Sequence, residues 1–264
     1  MSRAAWCISM MLALLAAPNA WGAGRIVEGV DQAFVIPPSG ASVEPYSNDG
    51  YSIERSGSGF LVQVAVAPLR SKAEFEVPAK PKPGSVGALA WRLVAGSHLE
   101  SVAVERVLGW VSRNIRYDLD RRQDQTADAV LARRRGYCTG IARLSVALFR
   151  SIGIEAREVD GYVLRSSRND GPGYHRWIEV FYPDKGWVFS DPASTHGFVP
   201  ATYVRLADRR VTPTWSGEPG RLVWRRDHLA IVDQAPGLAA HVWARALTWE
   251  RRAGTLDLTI GEQE

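Results

Sequence analysis

The sequence predicts an α+β protein, a helical middle segment leading into an antiparallel sheet, with β-rich stretches on either side. Three observations carry this. From His98 to Arg116, apolar residues recur at Val102, Val104, Val107, Leu108, Val111 and Ile115, close to the helical period. After Gly153 the pattern turns extended, with runs at 156–164, 174–182 and 187–190 separated by Gly- and Pro-containing turns. Between them, Gly136-Tyr137-Cys138-Thr139-Gly140 opens another apolar run through Ile141, Leu144, Leu148 and Phe149.

The elements follow in order. Residues 1–23 have the layout of a secretory signal: Arg3, an apolar run from Ile8 to Ala17 too short to span a bilayer, and small residues for cleavage. Cys7 lies inside it, without the small-residue context of a lipid anchor. Residues 24–84 read as irregular or β structure, with a strand over 60–66 and a linker in which Pro78, Pro81 and Pro83 forbid a helix. The core is expected over 85–210. Ser97 can cap the first helix, with Glu100 completing a capping box, and Tyr117-Asp118 ends it. Thr126 can cap a short helix through Ala132 that Gly136 terminates. The Cys138 helix stops at Gly153. Pro183 to Gly186 suits a tight turn, so the strands form a meander, with 169–173 joining the first two. Residues 211–264 alternate polar and apolar and read as a β-rich extension.

Composition narrows the classes. Once the leader is removed, about 240 residues remain, enough for one good-sized core and an appendage. The net charge of +4 comes from 32 basic against 28 acidic residues. Arginine clusters are interspersed with acids, which reads as a solvated charged surface and not as a nucleic-acid footprint. No later segment is apolar enough for a transmembrane helix. With Cys7 in the leader, Cys138 has no partner in the chain for a disulfide.

An unpaired thiol in an oxidising compartment is a liability, which suggests that its reactivity is used. Its place at a helix start favours the thiolate, although a buried inert cysteine is common in cores. Thiol catalysis also needs an imidazole and a group that orients it. His175 opens the second strand of the meander and Asp191 closes the third, so the hairpin sets those ends side by side. Alternation puts His175, Trp177, Glu179 and Phe181 on one face, and Trp187, Phe189 and Asp191 together on the next strand. If both faces pack on the Cys138 helix, thiol, imidazole and carboxylate converge. His196 follows closely enough to line the same pocket with Trp177. His98, His228 and His241 have no comparable setting.

Three runs resemble the transglutaminase-like superfamily. Gly136–Leu144 is similar to its nucleophile segment, continued by Leu148–Arg157. His175-Arg176-Trp177-Ile178-Glu179-Val180 resembles its H-x-W-x-E-V strand, and Trp187–Pro192 its W-x-x-x-D-P; Val107–Tyr117 fits its upstream helix. The likeness covers about residues 97 to 205. It implies a papain-like cysteine-protease/transglutaminase core in which Cys138 is the nucleophile, His175 the general base and then acid, and Asp191 its orienter. The oxyanion needs two donors. The Cys138 backbone N–H is one, and Tyr117 or Trp110 is a candidate for the second, though each also reads as packing. Calcium sites do not carry over, because Asp118, Asp120, Asp124 and Asp128 lack a ligand-loop spacing, and no His/Cys cluster suits a catalytic metal. No cofactor is implied.

The expected function is therefore an exported, periplasmic or secreted thiol-dependent acyl transferase or hydrolase acting on protein or peptide amides through a thioester. Partners would be a protein or peptide substrate, with an envelope-associated one among the options, and with no nucleic acid and no transmembrane anchor. A non-catalytic envelope scaffold built on the same core is the alternative. Hydrolysis against transamidation, substrate identity and oligomeric state are not legible in the sequence.

Overall fold

The computed structural model describes residues 23–37, 43–67, 69–164, 173–207, 221–236 and 256–259. The expected leader over 1–23 lies almost wholly outside them, as do His241 and most of the 169–173 loop.

Three layers organise the chain. A four-stranded antiparallel sheet occupies the middle, made of β7 (Ala156–Val163), β8 (Gly173–Tyr182), β9 (Gly186–Ser190) and β10 (Tyr203–Arg205) in the order β10-β7-β8-β9. The expected meander is β7-β8-β9, closed by a turn whose Gly186 takes φ 78°. One face of this sheet carries helices α1 (Ser85–Leu93), α2 (Glu100–Asn114), α3 (Ala127–Arg133) and α4 (Cys138–Ser151). The other faces a six-stranded sheet of β1 (Ala23–Val35), β2 (Tyr46–Asn48), β3 (Tyr51–Ser56), β4 (Gly59–Val66), β11 (Arg221–Pro236) and β12 (Leu256–Thr259), in the order β12-β11-β1-β4-β3-β2. The flanks on either side of the core in sequence thus share one sheet, since β1 pairs antiparallel with both β11 and β4. A short parallel pair, β5 (Arg116–Tyr117) with β6 (Arg135–Gly136), ties the end of α2 to the start of α4.

Two hydrophobic cores lie on the two faces of the central sheet. Ile178, Val180, Tyr182 and Val188 pack with Val107, Leu108, Val111, Ile141, Leu144 and Leu148 of the helices. Trp177, Phe189, Val159 and Val204 pack with Ala33, Val35, Ile53, Phe60, Val62 and Val64 of the larger sheet. This corrects the expected packing. The face bearing His175, Trp177 and Glu179 meets the second sheet, and α4 covers the opposite one. The physical reason is shape and polarity. The even face of β8 is aliphatic over Ile178 and Val180 and suits helix grooves. The odd face carries Glu179, which finds polar partners on β2, and Trp177, which meets Phe189 and Tyr203 edge-on and packs against the larger sheet.

Those partners make a buried polar tie. Glu179 is 1% exposed. It accepts hydrogen bonds from the Tyr46 hydroxyl and from Asn48 Nδ2 at 2.7 Å, and pairs with Arg157 at 2.7 Å. Arg157 also lies over the Trp187 ring at 3.9 Å. Burial, with the Glu179 carboxylate beside it, pushes the Tyr46 phenol up to about 12.

Helix ends depart from the sequence reading in two places. Helix α2 begins at Glu100 with Leu99 in the cap position, and no side chain caps it. Ser97 Oγ instead accepts from Arg106 at 3.0 Å, and Glu100, buried near Asp184, is pushed up to about 7. The expected capping box is absent because the Glu100 side chain turns into the protein. Thr126 stands at the start of α3 without capping it through its side chain, and the helix ends at Arg134, φ 56°, before Gly136. Helix α1, unassigned in the sequence reading, is an additional element. The Pro-rich linker is non-helical as expected, held where Trp91 Nε1 donates to Pro78 O at 2.7 Å.

Gly161 on β7 is where packing is tightest: a Cβ there would lie 2.0 Å from Trp177 and 2.5 Å from Val204 O. Gly161→Ala must displace a buried indole or a strand, so it is expected to lower stability by about 1–3 kcal/mol; urea unfolding would measure this, and an unchanged midpoint would show that Trp177 has room to move.

Candidate active site

Cys138 is the first residue of α4, and its side chain is buried at the end of the central sheet. Three local features put it there. The β5–β6 pair fixes the preceding turn, with Asp118 N–H donating to Gly136 O at 2.9 Å. Gln125 Oε1 accepts the Tyr137 N–H at 3.0 Å, while its Nε2 donates to Gln123 O at 3.1 Å. Gly140 makes room for that amide, since a Cβ at 140 would sit 2.2 Å from Gln125 Oε1. The Gly-Tyr-Cys-Thr-Gly run thus reads as a helix start shaped around Gln125.

His175 comes from the other side, on the part of β8 that pairs with β7 but not with β9. Its Nε2 is 2.8 Å from Asp191 Oδ2, leaving the other ring nitrogen for the Cys138 thiol, with which it interacts. The ring lies between two aromatics: Tyr203 meets it edge-on at 5.5 Å and Trp177 stacks at 6.3 Å. The Arg176 backbone N–H and the Thr139 side chain both favour the Cys138 thiolate.

Asp191 is 1% exposed and well supplied with donors. Oδ2 also accepts from Ser194 Oγ at 2.7 Å and from Tyr203 OH at 3.0 Å, while Oδ1 accepts the Ala193 N–H at 3.0 Å. The Asp191 and Thr195 backbones bridge antiparallel and close the turn.

These contacts set the protonation states. Burial alone would raise the Cys138 thiol, but the His175 hydrogen bond and charge, followed by the Arg176 N–H, bring it below its ordinary value. Burial alone would likewise lower the His175 imidazole; Asp191 outweighs it, with Cys138 adding, and holds it up to about 9. The arrangement favours a thiolate–imidazolium pair over a neutral pair. A helix N-terminus adds to this, because the first-turn N–H groups have no intrahelical acceptor.

The structure therefore brings Cys138, His175 and Asp191 together. The route differs from the expected one: they converge at the end of the sheet, where α4 begins, and not through packing of both strand faces on the helix. Of the oxyanion candidates, Tyr117 is close by, its ring 5.6 Å from that of Tyr137. Trp110 lies instead beneath the Arg134 guanidinium, 4.7 Å away, in a packing role on α2. Trp177 is fully buried behind His175 and does not line an open pocket. His196, 2% exposed, has Nδ1 3.2 Å from Glu105 of α2 and belongs to the interior as well.

Several contributors escaped the sequence reading. Gln125 and Tyr203 bond through tertiary contacts, and nothing in their spacing marks them, whereas Ser194 bonds locally to Asp191. Tyr137, adjacent to the thiol and interacting with it, carries no signal beyond its place in the motif. The one legible signal was Asp-Pro-Ala-Ser after the third strand, a composition that suits an Asx-type turn. Among the described residues no cluster of three or more His, Cys, Asp or Glu could hold a metal ion, and no helix is long and apolar enough to cross a membrane.

Gln125→Leu removes the acceptor of the Tyr137 N–H and is expected to cost about 1–3 kcal/mol and to slow Cys138 alkylation. Gln125→Glu, which keeps an acceptor oxygen, should recover most of that rate. Equal alkylation by all three proteins would show that Gln125 does not align the thiol.

Comparison with known proteins locates the relationship within the chain. Residues 87–192 match the family model described as the transglutaminase-like superfamily. A 74-residue stretch is 38% identical to the uncharacterized protein YebA of Bacillus subtilis (strain 168), covering 24% of this chain and 10% of that protein. The chain thus spans about a tenth of the length of the curated relative it matches. Among solved structures, a candidate cysteine protease from Cytophaga hutchinsonii aligns at TM-score 0.43 and 15% identity, over 80% of this chain and 88% of that one. The periplasmic domain of TgpA from Pseudomonas aeruginosa, bound to ethylmercury, aligns at TM-score 0.39 and 18% identity, over 64% of this chain and 74% of that one. The stretch from 87 to 192 that matches the transglutaminase-like model carries Cys138, His175 and Asp191.

Proposed function

We propose that this protein is an exported, thiol-dependent acyl-transfer enzyme acting on protein or peptide amides, with Cys138, His175 and Asp191 as its triad. The observation that supports it most is a buried thiol whose pKa is lowered against the direction of burial, by a histidine that is itself held on a buried aspartate. A structural cysteine in a core would be pushed the other way.

In this reading the Cys138 thiolate attacks the amide carbonyl carbon. The C–S bond forms, and the carbonyl π electrons move to oxygen. The Cys138 backbone N–H at the helix start is one donor for that oxyanion, and Tyr117, whose ring packs beside that of Tyr137, is the side-chain candidate for the second. The His175 imidazolium gives its proton to the departing nitrogen as the C–N bond breaks, leaving a thioester and a neutral imidazole. Asp191 keeps the ring oriented and balances its charge without taking the proton. Water or an amine then attacks the thioester, His175 takes the proton from that nucleophile, and the thiolate is released. Water yields a peptidase or amidase, an amine a transamidase. Water is the more abundant acceptor, so hydrolysis is the default outcome. The near-complete burial of Cys138, 4% exposed, is the one observation that favours the non-catalytic scaffold.

Cys138→Ala is expected to abolish both turnover of a peptide-amide library and labelling by iodoacetamide. Full retention of turnover would sink the proposal.

The pH dependence follows from the two shifts. Below the lowered pKa of Cys138 the thiol is protonated and does not attack; above about 9 the His175 imidazolium loses the proton it must deliver. The rate should rise on an acid limb lying below the ordinary thiol range and fall on a basic limb near pH 9. A profile still climbing beyond pH 10 would mean that a free thiol, not an ion pair, is the nucleophile.

A further inference from the structure

Positive charge gathers on the segment that leads to the thiol: between Arg113 and Arg135 there are seven arginines against four aspartates. The fold sets several of them in a row. The β5–β6 pair puts exposed Arg116 next to exposed Arg135, three residues before Cys138. Exposed Arg134 lies over the Trp110 ring at 4.7 Å, one turn along α2 from exposed Arg113. Exposed Arg121 lies over Tyr137, the residue preceding the thiol, at 4.7 Å. Arg135 has Asp118 at 3.7 Å. Among the described residues, Arg113, Arg116, Arg121 and Arg134 have no carboxylate partner.

The opposite wall is different. There Arg176 holds Asp160 at 2.6 Å and Glu158 at 2.7 Å, and Arg143 approaches Glu158 at 3.9 Å. Its charges are balanced on the protein, whereas those on the β5–β6 side are not. Stacking on an aromatic face fixes a guanidinium plane and leaves its N–H edges directed outward, the geometry that takes a carboxylate with two hydrogen bonds.

We propose that the ridge formed by Arg113, Arg116, Arg134 and Arg121 binds an acidic polypeptide segment flanking the acyl group delivered to Cys138. This rests on the thiol-enzyme reading above and specifies its substrate class. A polypeptide is favoured over another polyanion because the ridge runs to a site whose chemistry needs a carbonyl carbon. A phosphodiester supplies the charge but no acyl group.

Two peptidyl vinyl sulfones test this with the full chain, one flanked by three aspartates and one by three lysines. Each labels by addition of the thiolate to the vinyl carbon, with the His175 proton passing to the neighbouring carbon. The aspartate probe is expected to label Cys138 about tenfold faster at low ionic strength, the advantage fading as salt is added. Arg113→Glu/Arg116→Glu/Arg134→Glu should erase that preference and leave iodoacetamide labelling unchanged. Arg113→Gln/Arg116→Gln, which spares the left-handed position 134, should weaken it if the triple variant does not fold. Equal labelling by the two probes, or a preference that survives both variants, would overturn the proposal. Anisotropy of the same peptides without the sulfone separates the two readings. Slow iodoacetamide labelling with the acidic preference intact sinks the thiol enzyme and leaves the surface, and fast labelling without preference does the reverse. Tighter binding of a single-stranded oligonucleotide than of an acidic peptide of equal charge would overturn the choice of polypeptide.

Discussion

Strand β8 is covered on both faces, and the geometry of the thiol site is referred to it. Ile178 and Val180 lock it against α4 and its neighbours, while Trp177 and Glu179 lock it against the second sheet. A strand buried on both sides cannot slip its register by one residue, because every side chain would move to the wrong core. His175 and Arg176 lie on β8 immediately before this doubly buried run, paired with Gly161 and Asp160 of β7, so their positions inherit its rigidity. The Arg176 N–H on β8 favours the Cys138 thiolate on α4, so the strand also acts on the charge of the thiol.

Burial and charge oppose each other at this site, and their balance gives it its character. Enclosing a thiol and an imidazole favours both neutral forms. Here the carboxylate of Asp191 tips the balance, and it does so from the interior because it is not left bare: three hydroxyl or amide donors share it with His175. A buried carboxylate without such donors would be costly to keep ionised. Donors on Asp191 thus keep its charge available to hold the imidazolium, which in turn stabilises the thiolate.

Local chemistry was legible in the sequence and tertiary partnership was not. The helical period of 98–116, the helix beginning at Cys138, the turn from Pro183 to Gly186 and the three-strand meander follow from patterns over neighbouring residues. So does the approach of His175 to Asp191, which a tight hairpin enforces. The choice of face on β8 failed because alternation defines two faces without saying which layer covers each. That depended on Tyr46, Asn48 and Tyr51, more than a hundred residues away in sequence. The same holds for Gln125, whose role appears only when a distant loop is folded onto Gly140. Ser97 and Glu100 have the letters of a capping box, yet burial of Glu100 near Asp184 decided otherwise.

The residues that steady His175 extend beyond residues 87–192, the stretch that the family model matches. Tyr203, on β10, both contacts the imidazole edge and donates to Asp191. The carbonyl oxygen of Tyr203 accepts from Tyr51 OH of β3 at 3.0 Å. Trp177, behind the ring, is sealed by Phe189 and by the larger sheet. Removing β2–β4 would expose the Trp177 face of the central sheet and leave Glu179, paired only with Arg157, open to water. The β-rich flank is therefore part of the structure that sets the imidazole, and the unit that fixes the site is larger than residues 87–192. In that respect the second sheet does for His175 what Gln125 does for Cys138: each holds one reacting group from behind, where no local pattern records it.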